Sequence, residues 1–419
     1  MLLGLNKIFE IVLLFGIIFT FRIPVLGTSS LLLALILLFF FVIKFDISRR
    51  NLRVILNNND FVKIAFYLFI IIIITFFVTV FHGVYDFSLL ETVVNQLFNL
   101  ILVILYLSIF YKEGKNYNYF LNILSICFAV QGLFMIVSLL SPSFKIIMES
   151  TQALGVIERS LSQYGGMRNL GFGFTQFYGL NALLGIGFII TTFLFITEKK
   201  IKYLIRLSFI FIGIFLSGRT ALVAVVLSIL FFFLNNKFSI KKDYKTLLYL
   251  IPIVIGVLIG VSFFIDFIPQ SIKDWAFEFY YNYQSGDGLA TSSTDALFNR
   301  MYFIPNEEII LFGAGEYTTA DGRYFMSTDA GFMRPLLYYG FIGVILFIFY
   351  HFLILNTIKK YLGSHVSDKT NKYFFVFLVI ISIVLNIKGE FMGFLIISQN
   401  TFFIMVLSLI LKQNRKYVN

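Results

Sequence analysis

Residues 213–226 read GIFLSGRTALVAVV and place Arg219 inside an apolar run, Leu207–Leu234, that holds no other charged side chain. An arginine at the centre of a bilayer costs at least about 2.5 kcal/mol on insertion scales, so such residues usually face protein or water. Lysine-rich segments at 197–206 and 236–246 flank the run. Because cytoplasmic connections collect lysine and arginine, both flanks are expected on the cytoplasmic side, which requires an even number of crossings between them.

The run is therefore predicted to be a hairpin with its tip at 217–219. Each arm of about fifteen residues rises about 23 Å, which is less than the hydrocarbon thickness of about 30 Å. Arg219 is expected to lie slightly below the outer surface, in a cavity rather than in lipid. The alternative is that its long side chain only extends to the lipid headgroups.

The whole chain has the composition of a membrane protein. Of its 419 residues, 59% are hydrophobic and 13% are charged, and the mean hydropathy is +0.90. Apolar runs repeatedly exceed the length of about 18 residues that marks a membrane span. The sequence therefore predicts an all-α polytopic membrane protein in which residues 1–419 form a single integral membrane domain.

Apolar segments alternate with connections that are rich or poor in lysine. The segments centre on about residues 13, 36, 72, 101, 130, 184, 210, 227, 256, 343, 379 and 402. The two termini and the lysine-rich connections hold 23 of the 33 basic residues. The positive-inside rule then predicts about 12 transmembrane helices, with the N and C termini in the cytoplasm and the protein in the bacterial inner membrane.

Two connections on the predicted outer side are long and are expected to be periplasmic loops, at 141–171 and at 266–331 between helices 9 and 10. Seven of the ten outer basic residues are arginines, whereas only five of the 23 inner ones are. A guanidinium binds phosphate oxygens through a planar fork that lysine lacks. The outer surface is therefore predicted to hold a phosphate or pyrophosphate. Fifteen of the 22 acids also lie outside, so pairing with an acid is the competing role for each arginine.

The large loop contains segments of predictable form. Apolar side chains within 272–283 recur at helical spacing and predict a short amphipathic helix. LFGAGEY at 311–317 is a glycine-rich turn, and TDAGFMRPLLYYGFIG at 328–343 starts the next span. Either Thr328 or Asp329 would suit the N-cap of that helix, which is the structural alternative to a chemical role for Asp329.

Several chemistries are not indicated. The sequence has no GxxxxGK[ST] motif, and its histidines and its single cysteine are not spaced as metal ligands. Glu10 and Glu91 are the only acids predicted at membrane depth, which is too few for a proton relay. We expect no cofactor, no metal and no nucleic-acid partner.

Five short motifs occur along the chain in a characteristic order. They are Arg168 in GGMRNLGFGF, SGRT at 217–220, Arg300 in DALFNRMYF, LFGAG at 311–315, and Asp329 followed by GFIG at 340–343. With twelve spans and a long outer loop before the tenth, they resemble the O-antigen polymerase (Wzy) and O-antigen ligase (WaaL) superfamily of membrane glycosyltransferases. The resemblance covers roughly residues 160–350 and implies a GT-C-like fold.

The resemblance implies a polymerase that transfers a growing glycan from undecaprenyl pyrophosphate to a lipid-linked repeat unit at the periplasmic side of the bilayer. The catalytic residues implied are Arg219, Arg300 and Asp329. Arg219 and Arg300, assisted by Arg168, would hold the pyrophosphate, and Asp329 would act as the base or orient the acceptor. Because arginines can neutralise the leaving group, the reaction is expected to be independent of metal.

Further residues are assigned to substrate binding on the same basis. Arg323 and Arg334 would hold the phosphates of the second lipid carrier or the glycan, Glu316 and Tyr317 would line the site, and Glu316 and Asp321 would stand behind Asp329. A chain-length regulator of the Wzz type would be a protein partner.

Three other functions remain open at this point. O-antigen ligases typically have a histidine near the start of the tenth span, where this chain has Asp329, and that difference favours a polymerase. A flippase or other transporter of lipid-linked oligosaccharide would have shorter and more even loops. A peptidoglycan polymerase of the shape-determination type would usually have ten spans.

Overall fold

The computed structural model describes most of the chain in fourteen stretches. They are residues 2–23, 27–112, 117–153, 155–164, 170–174, 177–235, 270, 273–274, 277–286, 288, 291–320, 322–363, 368–392 and 396–414. The chain divides into two compact units. The first unit comprises Met1–Leu33, Lys115–Leu289 and Gly363–Ile381, and the second comprises Ala34–Gly114, Ala290–Leu362 and Ser382–Asn419. The assignment of 1–419 to one membrane domain stays a prediction.

Helices make up almost all of the regular structure in the described stretches. In chain order they are α1 (Leu2–Ile18), α2 (Ser29–Ile43), α3 (Phe45–Leu56), α4 (Asn59–Phe81), α5 (Ser88–Phe110), α6 (Tyr117–Leu140), α7 (Pro142–Ser150), α8 (Val156–Tyr164), α9 (Phe177–Glu198), α10 (Ile201–Ser217), α11 (Leu222–Asn235), α12 (Glu278–Ser285), α13 (Ser292–Ala296), α14 (Glu307–Phe312), α15 (Met333–Tyr339), α16 (Phe341–Leu362), α17 (Asp368–Lys388) and α18 (Ile396–Asn414). Two-residue strands, β1 (Arg22–Ile23) and β2 (Gly27–Thr28), pair antiparallel.

Six helices are long and apolar enough to cross a bilayer: α4, α5, α6, α9, α16 and most of α17. Helices α2 and α3 together would make a seventh candidate, but the chain bends by 110° between them. The prediction of an all-α polytopic membrane protein is confirmed at this level. The number twelve and the positions of the termini stay predictions, and the span predicted near residue 256 lies outside the described residues.

Helix α9 is the centre of the first unit, with α6, α10 and α11 packed around it. Nearly all of the apolar stretch of α9 is enclosed by protein, whereas most of the apolar stretch of α4, in the second unit, is exposed. Helix α17 adds to this core through Phe374, whose ring stacks on that of Phe193 with centroids 4.2 Å apart. The interior of the first unit is thus filled mainly by aliphatic and phenylalanine side chains.

The second unit has two ends of different charge character, joined by α4, α5 and α16. At one end, Asn58 donates a hydrogen bond to the Tyr361 hydroxyl (2.8 Å) and Lys360 pairs with Asp60 (2.5 Å). At the other end, the Ser88 and Thr318 hydroxyls are 3.0 Å apart. The first, lysine-bearing end carries Lys44, Arg49, Arg50, Arg53, Lys63, Lys112, Lys359 and Lys360, and the second, arginine-bearing end carries Arg300, Arg323, Arg334 and Lys388.

The two long loops contain short helices. Loop 141–171 includes α7 and α8, and loop 266–331 includes α12, α13, a π-helical turn at Leu297–Met301 and α14. The amphipathic helix predicted within 272–283 is observed as α12 from Glu278 onward, while Ile272, Trp275 and Ala276 lie outside the described residues. Whether the loops are periplasmic stays a prediction.

The charge difference between the ends of the second unit predicts their orientation. Ala320 and Asn57 are exposed at the arginine-bearing and lysine-bearing ends, respectively. In intact spheroplasts, a membrane-impermeant maleimide should label Ala320→Cys but label Asn57→Cys only after permeabilisation, because lysine-rich connections stay in the cytoplasm. The native Cys127 is buried and gives a low background. Labelling of position 57 alone in intact spheroplasts would show that the orientation is the reverse of the one predicted.

Candidate functional site

Arg219 lies at a break between two helices. Helix α10 ends at Ser217 and α11 begins at Leu222, so the prediction that the 28-residue run is not one helix is confirmed. Gly218 has extended backbone angles, with φ 172° and ψ 173°, which ends the helical turn. The break leaves carbonyl and N–H groups without their usual helical partners.

The side chain of Asn181, on α9, satisfies these backbone groups. Its Nδ2 donates to the carbonyl oxygens of Ile214 and Gly218, both at 2.9 Å. Its Oδ1 accepts from the backbone N–H of Ala221 at 2.8 Å. Asn181 is fully buried, so one amide side chain inside the helix bundle replaces the hydrogen bonds that the break removes.

Arg219 forms an ion pair with Glu278, the first residue of α12. Its Nη2 lies 2.8 Å from Oε2 of Glu278, and the side chains are 16% and 21% exposed. Arg219 is therefore mostly enclosed by protein and has an acid beside it. A bound pyrophosphate would compete with Glu278 for this guanidinium, and the assignment of Arg219 to pyrophosphate stays a prediction.

In the second unit, the glycines of the LFGAG and GFIG motifs allow two segments to touch through their backbones. A Cβ atom on Gly313 would lie 2.2 Å from the carbonyl oxygen of Tyr338, and one on Gly340 would lie 2.5 Å from that of Leu311. Both glycines have positive φ, 76° and 75°. The Ala314 N–H donates to the Leu337 carbonyl at 2.7 Å across the same contact. Only glycine fits these two positions.

A third glycine brings the DAG segment against the end of α17. A Cβ atom on Gly331 would lie 2.3 Å from the carbonyl oxygens of both Asn386 and Gly389. The Tyr302 hydroxyl donates to the Ile387 carbonyl at 2.8 Å and fixes the preceding part of the loop to the same place. The segment with Asp329 and the DALFNRMYF segment, which are separated in sequence, therefore both contact residues 386–389.

Residues 317–325 form a small hairpin. Thr318 and Tyr324 form an antiparallel bridge, and the Thr319 N–H donates to the Arg323 carbonyl at 2.8 Å. The base of the hairpin is held by Asp86, whose Oδ2 accepts from the N–H groups of Tyr317 (2.7 Å) and Thr318 (2.6 Å). Burial alone would raise the pKa of Asp86, but these hydrogen bonds and those from Ser88 lower it below its usual value.

Arg334 is buried where these segments meet, with 1% of its side chain exposed. Its Nε donates to Oε1 of Glu390 at 2.9 Å, and its Nη1 donates to the Tyr317 carbonyl at 2.8 Å. The guanidinium carbon lies 3.7 Å from the ring centroid of Tyr317 and 4.1 Å from that of Tyr324. The charge is thus held by an acid at one edge and aromatic faces around it.

The Tyr317 hydroxyl and the Nη2 atom of Arg334 differ in their hydrogen bonding. The Tyr317 hydroxyl donates a short hydrogen bond to Oε2 of Glu390, so both carboxylate oxygens are used. The Nη2 atom of Arg334 is buried and has no hydrogen-bond acceptor among the described residues. The placement of Arg334 is that of a paired interior arginine, and its assignment to lipid phosphates or glycan stays a prediction that such a pairing does not favour.

Glu390 is a mostly buried carboxylic acid with an unusual environment, and 13% of its side chain is exposed. Burial raises its pKa, repulsion from Asp329 adds to the rise, and the attraction of Arg334 and the hydrogen bond from Tyr317 offset only part of it. Asp329 is therefore close enough to Glu390 to interact electrostatically with it. This places two carboxyl groups and one guanidinium in a single cluster.

The structural alternative for Asp329 is wrong. Helix α15 begins at Met333 and its N-cap is Phe332, so neither Thr328 nor Asp329 caps it. Residues 328–332 are not helical because the Thr328 hydroxyl donates to the Met301 carbonyl at 2.9 Å and Gly331 packs on α17. Asp329 is half-buried in the loop, which leaves a chemical role open to it.

The other predicted residues of the second unit are more accessible. Arg300 is exposed at the end of the π-helical turn and forms no ion pair with a described residue. Arg323 is exposed in the turn of the hairpin, and Glu316, which directly precedes the hairpin, is half-buried. Arg168 and Asp321 lie outside the described residues.

Sequence reasoning missed Asn181, Glu278, Asp86 and Glu390. Glu390 is mostly enclosed by protein just after α17, and the expectation that Glu10 and Glu91 are the only acids at membrane depth stays a prediction. The sequence alone could have indicated Glu390, because it is an acid between apolar segments in NIKGEFMGF. Glu10 is buried in α1 and accepts a hydrogen bond from the Tyr119 hydroxyl at 2.6 Å, as expected of a partnered acid.

Among the described residues, no three His, Cys, Asp or Glu side chains come together as a metal site. No protein-family model, curated protein or solved structure matches this chain.

The Arg334–Glu390 pair predicts a non-additive stability effect. Arg334→Met leaves a mostly buried carboxyl without its cation and should destabilise the protein by about 3 to 5 kcal/mol. The double variant Arg334→Met/Glu390→Met should recover much of that loss, because neither charge is then left unpaired. Thermal unfolding in detergent measures both, with the exposed Arg300→Met as a control that changes little. Additive losses in the double variant would contradict the pairing.

Proposed function

We propose that the chain is a membrane glycosyltransferase of the O-antigen polymerase type. It transfers a growing glycan from undecaprenyl pyrophosphate to a lipid-linked repeat unit. Two contacts at one end of the second unit carry the proposal. LFGAG packs against residues 338–340, where GFIG begins, and the Asp329 segment packs against the end of α17 near Glu390, which pairs with Arg334. The exposed Arg300 and Arg323 belong to the same end. Motifs that define a site are expected to converge in this way.

The proposal includes the finer topology. Twelve spans, cytoplasmic termini and the arginine-bearing end facing the periplasm are its parts, in the bacterial inner membrane. Support comes from the basic residues of the second unit, because more of them lie at the end formed by α3 and the C-terminal part of α16 than at the end with Arg300, Arg323 and Arg334. Nucleotide sugars are not supplied outside the membrane, so a transferase acting there needs a donor activated by its lipid pyrophosphate.

The reaction places two demands on the protein. The acceptor hydroxyl attacks the anomeric carbon, the bond from that carbon to the pyrophosphate oxygen breaks, and the hydroxyl proton passes to a base. Charge that develops on the pyrophosphate needs cations already in place. In this proposal Arg300 is such a cation in the second unit. Arg219, assisted by Arg168, is the candidate in the first unit, and to bind phosphate oxygens it must exchange Glu278 for them.

Asp329 is proposed as the base or the acceptor-orienting group. Its loop packs against the end of α17 through Gly331, and the negative charge of Asp329 contributes to the raised pKa of Glu390. Arg334 and Glu390 are proposed as positioning residues that hold the hairpin and the Asp329 loop together. Glu316 and Arg323 then line the approach to the glycan, Tyr317 supports them from the buried side, and no metal is required.

A deletion strain complemented with variants tests the function. Loss of a polymerase should leave single repeat units on the lipid A core, whereas loss of a ligase leaves none and loss of a flippase leaves repeat units on the inner leaflet. Asp329→Asn should abolish long chains because it keeps the side-chain shape and removes the base, and Arg300→Lys should reduce them because it keeps charge without the fork. Lipopolysaccharide banding reads out each result.

Lys145→Gln, which changes an exposed side chain on α7, serves as the control that keeps full-length chains. Normal banding from well-inserted Asp329→Asn protein would remove Asp329 from the mechanism. Complete absence of decorated lipid A core in the deletion strain would replace the polymerase by a ligase.

A further inference from the structure

The bend between α2 and α3 marks a change in the surface that the second unit exposes. Helix α2 exposes large apolar side chains up to Val42 and Ile43, and the next residue is Lys44. After α3, helix α4 again exposes apolar side chains from Val62 onward. Exposed apolar surface of this kind on a membrane helix faces lipid. Helix α3 therefore lies at the boundary where the chain leaves the apolar layer and returns to it.

One face of α3 is fixed to the protein. Ser48, Asn51 and Ile55 are buried. The Asn51 Nδ2 atom donates to the carbonyl oxygens of Ser108 (2.8 Å) and Tyr111 (3.0 Å), which are at the C-terminal end of α5. The helix is thus held across the end of the bundle, and its orientation is set by contacts with protein.

The other face of α3 carries three arginines and one exposed acid, Asp46, so its net charge is positive. Arg49, Arg50 and Arg53 are all exposed, and their spacing of three and four residues places them on one side of the helix. No described acid forms an ion pair with any of them. Phe45 and Leu56, which are 50% and 49% exposed, stand at the two ends of the helix. Arginines between exposed apolar side chains are typical of helices that lie in the membrane interface.

We infer that α3 is a binding surface for the headgroups of anionic phospholipids. The three arginines contact headgroup phosphates through their planar donors, and Phe45 and Leu56 insert among the upper acyl carbons. Lipid is the occupant because the arginines lie at the level where the apolar surfaces of α2 and α4 end, which is the level of phosphate groups in a bilayer. This inference is independent of the proposed function.

Full-length protein purified in a neutral detergent provides the test, with phosphatidylglycerol as the probe and phosphatidylcholine as the reference. Each interfacial arginine contributes about fivefold to affinity for an anionic surface. Arg49→Gln/Arg50→Gln/Arg53→Gln should therefore weaken phosphatidylglycerol binding on the order of a hundredfold and leave phosphatidylcholine binding unchanged. Native mass spectrometry of bound lipids measures both. Replacement of the three arginines by lysine should keep most of the binding.

The matched control is Lys359→Gln/Lys369→Gln/Lys372→Gln, which removes three charges from another basic segment and should keep phosphatidylglycerol binding. Equal loss in both triple variants would show a diffuse charge effect and overturn the proposal, as would full binding by the arginine variant. Wild-type binding must also fall as salt is raised, because exposed charges are screened. Binding by wild-type protein that is insensitive to salt would overturn the proposal even if the arginine variant cannot be purified.

Discussion

A guanidinium or an open backbone carbonyl inside an apolar helix bundle must find a polar partner, and this constraint accounts for the main features of both units. The break that holds Arg219 exists because Asn181 replaces the lost helical hydrogen bonds. Arg219 then pairs with Glu278. In the second unit, Arg334 is buried only because Glu390 and two tyrosine rings enclose it.

The same constraint links the buried cluster to the accessible residues around it. Glycines at 313, 331 and 340 lie directly against carbonyl oxygens of neighbouring segments, and the resulting scaffold fixes the loop with Asp329. The arginines that remain accessible, Arg300 and Arg323, project from this scaffold. An anion-binding surface of exposed arginines over a rigid interior is what transfer from a pyrophosphate requires. In the proposed function, the interior pair holds the scaffold and the exposed arginines bind the pyrophosphate.

The sequence predicted the features that depend on local composition. Positive charge on both flanks of Leu207–Leu234 was enough to predict two helices with Arg219 between them, and long apolar segments predicted the helical membrane fold. It did not predict the partners, since Asn181 and Glu390 are far in sequence from the groups they contact. The N-cap assigned to Asp329 failed because contacts with Met301 and α17 hold residues 328–332 out of the helix. Local preference is overridden there by tertiary packing.

The most direct test is reconstitution of the purified protein in liposomes with undecaprenyl pyrophosphate-linked repeat units as the only substrate. A polymerase should produce longer glycans on the lipid and release one undecaprenyl pyrophosphate for each bond formed, with a metal chelator present. Repeat units that cross the bilayer without becoming longer would contradict it and would identify a transporter instead.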